Sequence, residues 1–194
     1  MDILNLIIIA SYSYLLGSIP FGLILTKIFL KKDIREVGSG NIGTTNVLRT
    51  GNKILAITTL ILDLLKGYLS IFITLIYFEN QISFSALICL IGHIFPIWLK
   101  LKGGKGVATY LGIILAISYK FFIIFVISWI IFSLLFRFAS LSSIISTLIV
   151  FICSIFLENN FFSLILLIFL IIIIYTHREN IVRLKNSTEA KIKL

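Results

Sequence analysis

Long apolar runs separated by short polar segments dominate this chain. A helix needs about 20 apolar residues to cross a bilayer. Ile3 to Leu30 supplies one such run, interrupted at Gly17-Ser18-Ile19-Pro20, where the proline predicts a kink. Ile54 to Phe78 supplies a second, and Phe84 to Leu99 a third with Pro96 near its end. Gly106 to Ser118 is a short fourth segment. Phe121 to Phe136, Ala139 to Leu157 and Phe161 to Tyr175 follow, then a polar tail from Thr176. The pattern predicts an all-α polytopic membrane protein of about seven transmembrane helices, forming one membrane-embedded domain over residues 1–194. If two short segments are re-entrant the count is five, with both termini keeping their sides. Met1 to Leu16 has no basic leader and reads as a retained first span.

Composition agrees. Of 194 residues, 59% are hydrophobic and only 13% charged, whereas a soluble domain carries roughly a quarter charged. The net charge of +9 is read by position, because basic residues mark the cytoplasmic side. With seven spans, one set of connections is Lys31–Lys53, Lys100–Lys105, Arg137 and the tail, and it is strongly basic. The opposite set, which includes Glu79–Ser83 and Glu158–Asn160, holds only Lys120. The N-terminus is therefore expected outside and the C-terminus in the cytoplasm. No aromatic-interleaved basic patch argues for nucleic acid. Cys89 and Cys153 lie in apolar runs with no CxxC, so they read as small buried residues. Asp63 and Lys66 lie within a span, three apart on one helix face. They form a structural pair or a shell that holds the cytoplasmic loops.

The polar segments carry the candidate chemistry. Leu99-Lys100-Leu101-Lys102-Gly103-Gly104-Lys105-Gly106-Val107-Ala108-Thr109 combines lysines with glycines. Glycines allow tight turns and close backbone approach, and successive N–H groups with lysines bind anions. The loop is a phosphate cradle or a basic loop that orients its neighbouring helices. Gly38-Ser39-Gly40-Asn41-Ile42-Gly43-Thr44-Thr45-Asn46-Val47-Leu48-Arg49 matches GxGxxG, with Asp63 about 20 residues on. A dinucleotide fold is rejected, because no strand precedes Gly38 and Asp63 sits in a span. The glycines, hydroxyls, amides and the Arg49 fork still suit a phosphate. A capped loop-to-helix junction with Thr45 or Asn46 as N-cap is the compatible alternative. In the third cluster His177, Asn180 and Arg183 share a face if helical. HxxxxD is absent, since Trp98 and Val182 stand five beyond the histidines, and GxSxG is absent too. No carboxylate cluster suits a metal, so an anionic substrate with no metal and no cofactor is expected.

GSGNIGTTNVLR (Gly38–Arg49), GHIFPIWLKLKGGKGVAT (Gly92–Thr109) and HRENIVRL (His177–Leu184) resemble the three motifs of the bacterial acyl-phosphate:glycerol-3-phosphate acyltransferases, the PlsY family. GSIPFGLI and LDLLKG resemble further family segments. The resemblance covers nearly the whole chain. It implies a seven-span bacterial inner-membrane enzyme moving an acyl group from acyl phosphate to the 1-hydroxyl of glycerol 3-phosphate. The products would be lysophosphatidic acid and inorganic phosphate, in the first acylation of phospholipid synthesis. A separate soluble enzyme would make the acyl phosphate. Carried over by position, Ser39, Arg49, His177 and Asn180 are expected to be catalytic. Gly38, Gly40, Asn41, Thr45, Asn46, His93, Lys102, Gly103, Gly104, Lys105, Gly106 and Glu179 are expected to bind substrate. Thr44 replaces an alanine common in the first motif, and Asn186 stands where a glycine usually follows the last.

Overall fold

The computed structural model describes residues 3–157 and 160–192. Part of the predicted Glu158–Asn160 connection thus lies outside the described residues. The chain divides into two compact units, Met1–Ile117 and Ser118–Leu194.

The first unit holds α1 (Ile3–Ser18), α2 (Phe21–Leu30), α3 (Thr44–Leu48), α4 (Lys53–Tyr77), α5 (Ile82–Ile94) and α6 (Val107–Ile117). The first span breaks at Ile19–Pro20, where the proline predicts a kink. A break in lipid leaves backbone carbonyls that must be satisfied from within the protein. Lys66 Nζ donates to Ile19 O at 2.8 Å, and Trp98 Nε1 donates to Ser18 O at 2.8 Å. Small residues let helices cross closely where hydrophobic burial cannot drive association. At the α1–α5 crossing, Gly17 faces the Cys89 carbonyl and Gly92 faces Tyr14 O; no side chain fits at either. Gly67 and Gly112 do the same for α4 and α6. Buried hydroxyls add hydrogen bonds between α1, α4 and α5: Ser13 to Ser85 at 2.9 Å and Thr74 to Ser85 at 2.7 Å.

One apolar cluster serves the polar end of this unit. Leu23, Ile34, Ile42, Val47, Leu55 and Ala56 are buried together, and Leu99 packs against them. Asn52 starts α4 by accepting the Leu55 N–H at 3.0 Å, a side-chain N-cap. The cluster therefore ties the segment before α4 to the segment after α5.

The second unit holds α7 (Tyr119–Phe136), α8 (Ala139–Leu157), α9 (Asn160–Thr176) and α10 (Arg178–Lys185). Trp129 on α7 donates to Ser143 Oγ on α8 at 3.1 Å. The tail returns to the α7–α8 turn, where Ile192 N–H donates to Arg137 O at 2.7 Å.

All seven predicted apolar segments are helical, but they do not all have spanning length. Among the described residues five stretches are long and apolar enough: Ile3–Leu30, Lys53–Tyr77, Glu79–Leu99, Tyr119–Phe136 and Ala139–Leu157. The pair Phe162–Thr176 and Arg178–Lys185, bent by 59°, makes six if its two helices count as one span. Helix α6 has 11 residues, a rise of about 16 Å against a hydrocarbon core of about 30 Å. Asn186 has an ordinary φ of −87°, and Ser187 is the left-handed residue after α10 at φ +56°.

Candidate active site

The segment between α2 and α4 is built around Asn46, which is 2% exposed. Its Oδ1 accepts the Ser39 N–H at 3.0 Å. Its Nδ2 donates to the carbonyls of Ile34 at 3.0 Å, Val37 at 2.8 Å and Asn41 at 2.8 Å. One amide thus closes the Ile34–Asn41 loop. The expected N-cap shifts: Gly43 holds that position for α3, with its N–H on Asn41 Oδ1 at 2.8 Å. Gly38 is left-handed at φ +56°, and a Cβ there would lie 2.9 Å from Arg49 Cδ. The Arg49 stem therefore crosses the backbone at Gly38, while Ser39, Thr45 and Arg49 are exposed. At the loop's start Asp33 receives Arg35 Nε at 2.9 Å and Nη2 at 2.6 Å. That hydrogen-bonded guanidinium holds the Asp33 carboxyl well below the usual carboxylate range.

The segment between α5 and α6 folds back onto α5. Gly103 N–H donates to Ile94 O at 3.0 Å and Gly104 N–H to His93 O at 3.1 Å. These two N–H groups are engaged inside the protein, so the glycines serve close approach. A Cβ on Gly103 would overlap the His93 carbonyl, and one on Gly104 would overlap the His93 ring. His93 is itself buried beneath the loop, whereas Lys102 is exposed and Lys105 half-buried. Lys100 and Leu101 are both left-handed, and Gly106, at φ +89°, leads into α6. Because Leu99 packs against the cluster that contains Ile42 and Val47, the two glycine-bearing loops share one end of the first unit.

In the second unit His177 is 3% exposed at the bend between α9 and α10. Its Nδ1 lies 2.7 Å from Ile173 O. A carbonyl only accepts, so Nδ1 carries the hydrogen and Nε2 is the basic nitrogen. Asn180 is buried and donates to Glu189 Oε1 at 2.6 Å. Ser140 Oγ donates to the same oxygen at 2.7 Å, and Arg183 Nε to Oε2 at 2.8 Å. Glu179 is exposed and 3.8 Å from Arg183 Nη1.

Residues 7–187 match the family model described as glycerol-3-phosphate acyltransferase. The chain belongs to this family. It is 52% identical to a glycerol-3-phosphate acyltransferase of Pelagibacter ubique (strain HTCC1062), over 97% of this chain and 98% of that one. It is 46% identical to one from Brucella ovis (strain ATCC 25840 / 63/290 / NCTC 10512), over 93% and 90%. A crystal structure of PlsY (YgiH), an integral membrane glycerol 3-phosphate acyltransferase in its glycerol 3-phosphate form, is similar with a TM-score of 0.92. Identity to that structure is 34%, covering 97% of this chain and 96% of the other. The lysophosphatidic acid form of the same enzyme has a TM-score of 0.89. The chain is thus a PlsY-type integral membrane acyltransferase of phospholipid synthesis.

Within this glycerol-3-phosphate acyltransferase the expected site residues fall into three groups. Gly38, Ser39, Gly40, Asn41, Thr45, Asn46 and Arg49 lie in one loop, with Asn46 inward and Ser39, Thr45 and Arg49 outward. Lys102 to Gly106 lie in the loop that shares its end of the unit, with His93 beneath it. His177, Glu179 and Asn180 belong to the second unit.

Glu189 is absent from the sequence expectations, because a lone carboxylate in a polar tail carries no pattern. The structure makes it a clamp joining Ser140 of α8 to Asn180 and Arg183 of α10. Burial pushes its carboxyl up, but the bonds from Arg183, Asn180 and Ser140 outweigh that and hold it below its ordinary value. A folded-state value below the unfolded one stabilises the clamp above the ordinary carboxylate range. The stabilisation is lost as pH falls through the lowered value. The tail is therefore expected to stay docked on mild acidification and to release below the ordinary carboxylate value of 4.5. Hydrogen exchange at the Ile192 amide reads this directly. Glu189→Gln should free that amide at neutral pH, and equal protection in wild type and variant would contradict the clamp.

Proposed function

We propose that this chain transfers a fatty acyl group from acyl phosphate to the 1-hydroxyl of glycerol 3-phosphate (acyl-phosphate--glycerol-3-phosphate O-acyltransferase, EC 2.3.1.275). One observation carries the reading: two basic, glycine-bearing loops share one end of the first unit through the Leu99 cluster. They offer separate cationic groups, Arg49 in one and Lys102 with Lys105 in the other. That number suits a reaction with two phosphoryl groups.

Acyl phosphate is a mixed anhydride with a good leaving group. The enzyme has mainly to position two phosphates and an alcohol, and orientation supplies about 7–11 kcal/mol in favourable systems. The 1-hydroxyl oxygen attacks the acyl carbonyl carbon and forms the ester bond. The bond from that carbon to the phosphate oxygen breaks, and phosphate leaves with the electron pair. The Arg49 fork and Ser39 bind the leaving phosphate and its growing charge. Thr45 and the Gly38–Asn41 turn complete that side, and Asn46 fixes the turn. Lys102, Lys105 and the glycine loop hold the phosphate of glycerol 3-phosphate. His177, Asn180 and Glu179, in the second unit, are the further residues the activity requires. The hydroxyl proton passes to a phosphate oxygen of the substrate, since the His93–Asp63 pair is buried and its 3.9 Å separation is too long for the hydrogen bond of a catalytic dyad. His177→Ala is then expected to keep most of its turnover at saturating substrate, and a loss of about 10³-fold or more would make His177 the base.

The enzyme sits in the bacterial inner membrane with its loops facing the cytoplasm, its N-terminus outside and seven membrane segments. A soluble acyl-phosphate-forming enzyme supplies the donor. A cysteine placed in the tail should react with an impermeant thiol reagent only from the cytoplasmic side; labelling from outside would overturn this orientation.

Reconstituted protein given acyl phosphate and radiolabelled glycerol 3-phosphate, with a chelator present, tests the activity. Label in a lipid-soluble product, with phosphate released mole for mole, is expected. Transfer from acyl thioesters alone, or unchanged label trapped in the vesicle lumen, would contradict it.

A further inference from the structure

A buried polar chain runs from the break in the first span to the lysine–glycine loop. Lys66 Nζ donates to Ile19 O and pairs with Asp63 Oδ1, both at 2.8 Å. The same Asp63 oxygen lies 3.9 Å from His93 Nδ1. Asp63, Lys66 and His93 are each under 5% exposed. Ionisable side chains at membrane depth are costly and mark functional features more often than packing. Lys66 has a structural task at the Ile19 carbonyl, and Asp63 balances its charge. Neither task needs a histidine.

His93 nevertheless occupies the last turn of α5 with an Nδ1 that has no hydrogen-bond partner. A buried, unsatisfied polar atom costs stability that an apolar residue of similar shape would avoid. What the residue does contribute is two contacts with the loop. Its carbonyl accepts the Gly104 N–H at 3.1 Å, and its ring fills the space where a Gly104 side chain would stand. Lys105 is the next residue.

We propose that His93 is a positioning residue for glycerol 3-phosphate. Its imidazole, held beside Asp63, sets the backbone at Gly104 and through it the placement of Lys105. His93 then acts on the acceptor's phosphate without touching it, in place of the direct substrate contact expected from the sequence. This rests on the proposed reading that the loop binds that phosphate.

Steady-state kinetics in a double-mutant cycle test the idea, using His93→Asn, Gly104→Ala and the double variant, with Lys105→Ala as a reference for the loop. KM does not depend on how much protein folds. Each single variant is expected to raise KM for glycerol 3-phosphate about ten-fold or more, with kcat within about three-fold of wild type. The double variant should be no worse than the poorer single one, because both changes act through one backbone position. Multiplying effects on KM, or a fall in kcat with KM unchanged, would overturn the proposal. If Lys105→Ala raises KM but His93→Asn does not, the positioning role fails and the binding loop stands. If Lys105→Ala leaves KM unchanged, the binding loop itself fails.

Discussion

Arg49→Lys is expected to lower kcat for acyl transfer by about 10²–10³-fold, the scale seen when one donor to a developing charge is removed. Lysine keeps the charge but loses the planar fork that bonds two phosphate oxygens together. The Arg49 stem crosses the backbone at Gly38, so the loop sets the path of the side chain before substrate arrives. Preplacement of this kind stabilises the transition state without reorganisation. KM for glycerol 3-phosphate should change much less, because the acceptor's phosphate is proposed to bind the other loop. Arg49→Lys with more than a tenth of wild-type kcat would mean that the fork does not hold the leaving phosphate.

Asn46→Ala is expected to disorder the Ile34–Asn41 loop and lower acyl transfer at least about 10²-fold. The substitution removes four hydrogen bonds, those to the Ser39 N–H and to the carbonyls of Ile34, Val37 and Asn41, and leaves only the Val37 N–H on Ile34 O and the Gly40 N–H on Val37 O to hold the turn. Each lost hydrogen bond costs about 0.5–1.5 kcal/mol, and the four together exceed what a short loop can absorb. Asn46→Asp should fare no better. It keeps an acceptor for Ser39 but turns a carboxylate toward three carbonyls. Hydrogen exchange at the Ser39 amide reports loop order and is independent of turnover. Slow exchange in Asn46→Ala would show that the loop holds its shape by other means.

Those two residues show what a sequence exposes and what it hides. Arg49 stands out in the sequence as a cation beside glycines, serine and threonines, and folding leaves it exposed as a phosphate ligand would be. Asn46 reads from the sequence as one more polar group for substrate, but its amide is turned inward to its own backbone. Which way a loop amide points depends on carbonyls up to 12 residues away, and no local pattern encodes that. The same limit applies at Gly103 and Gly104. Their composition predicts N–H groups presented to an anion, whereas folding directs both N–H groups to the last turn of α5.

The spans were legible because bilayer thickness sets their length, and the interruption at Ile19–Pro20 because proline cannot continue the ladder. Helix α6 reads equally well as apolar, but its 11 residues fall short of a full crossing. Asp63 and Lys66 pair as their spacing allows. The reason for the pair, a carbonyl freed at residue 19, comes from another helix and emerges only once α1 and α4 pack. Glu189 is the extreme case, since its three partners lie 49, 9 and 6 residues away along the chain.

Cysteine protection by glycerol 3-phosphate tests most directly whether both loops serve one site. Thr45→Cys and Lys102→Cys each place an exposed thiol on one of the loops. Labelled with an impermeant reagent from the cytoplasmic side, Lys102→Cys should be slowed by glycerol 3-phosphate, half-protected at that variant's KM, and Thr45→Cys, on the donor side, once inorganic phosphate is added as well. Protection of one loop alone, or protection unrelated to KM, would contradict the account.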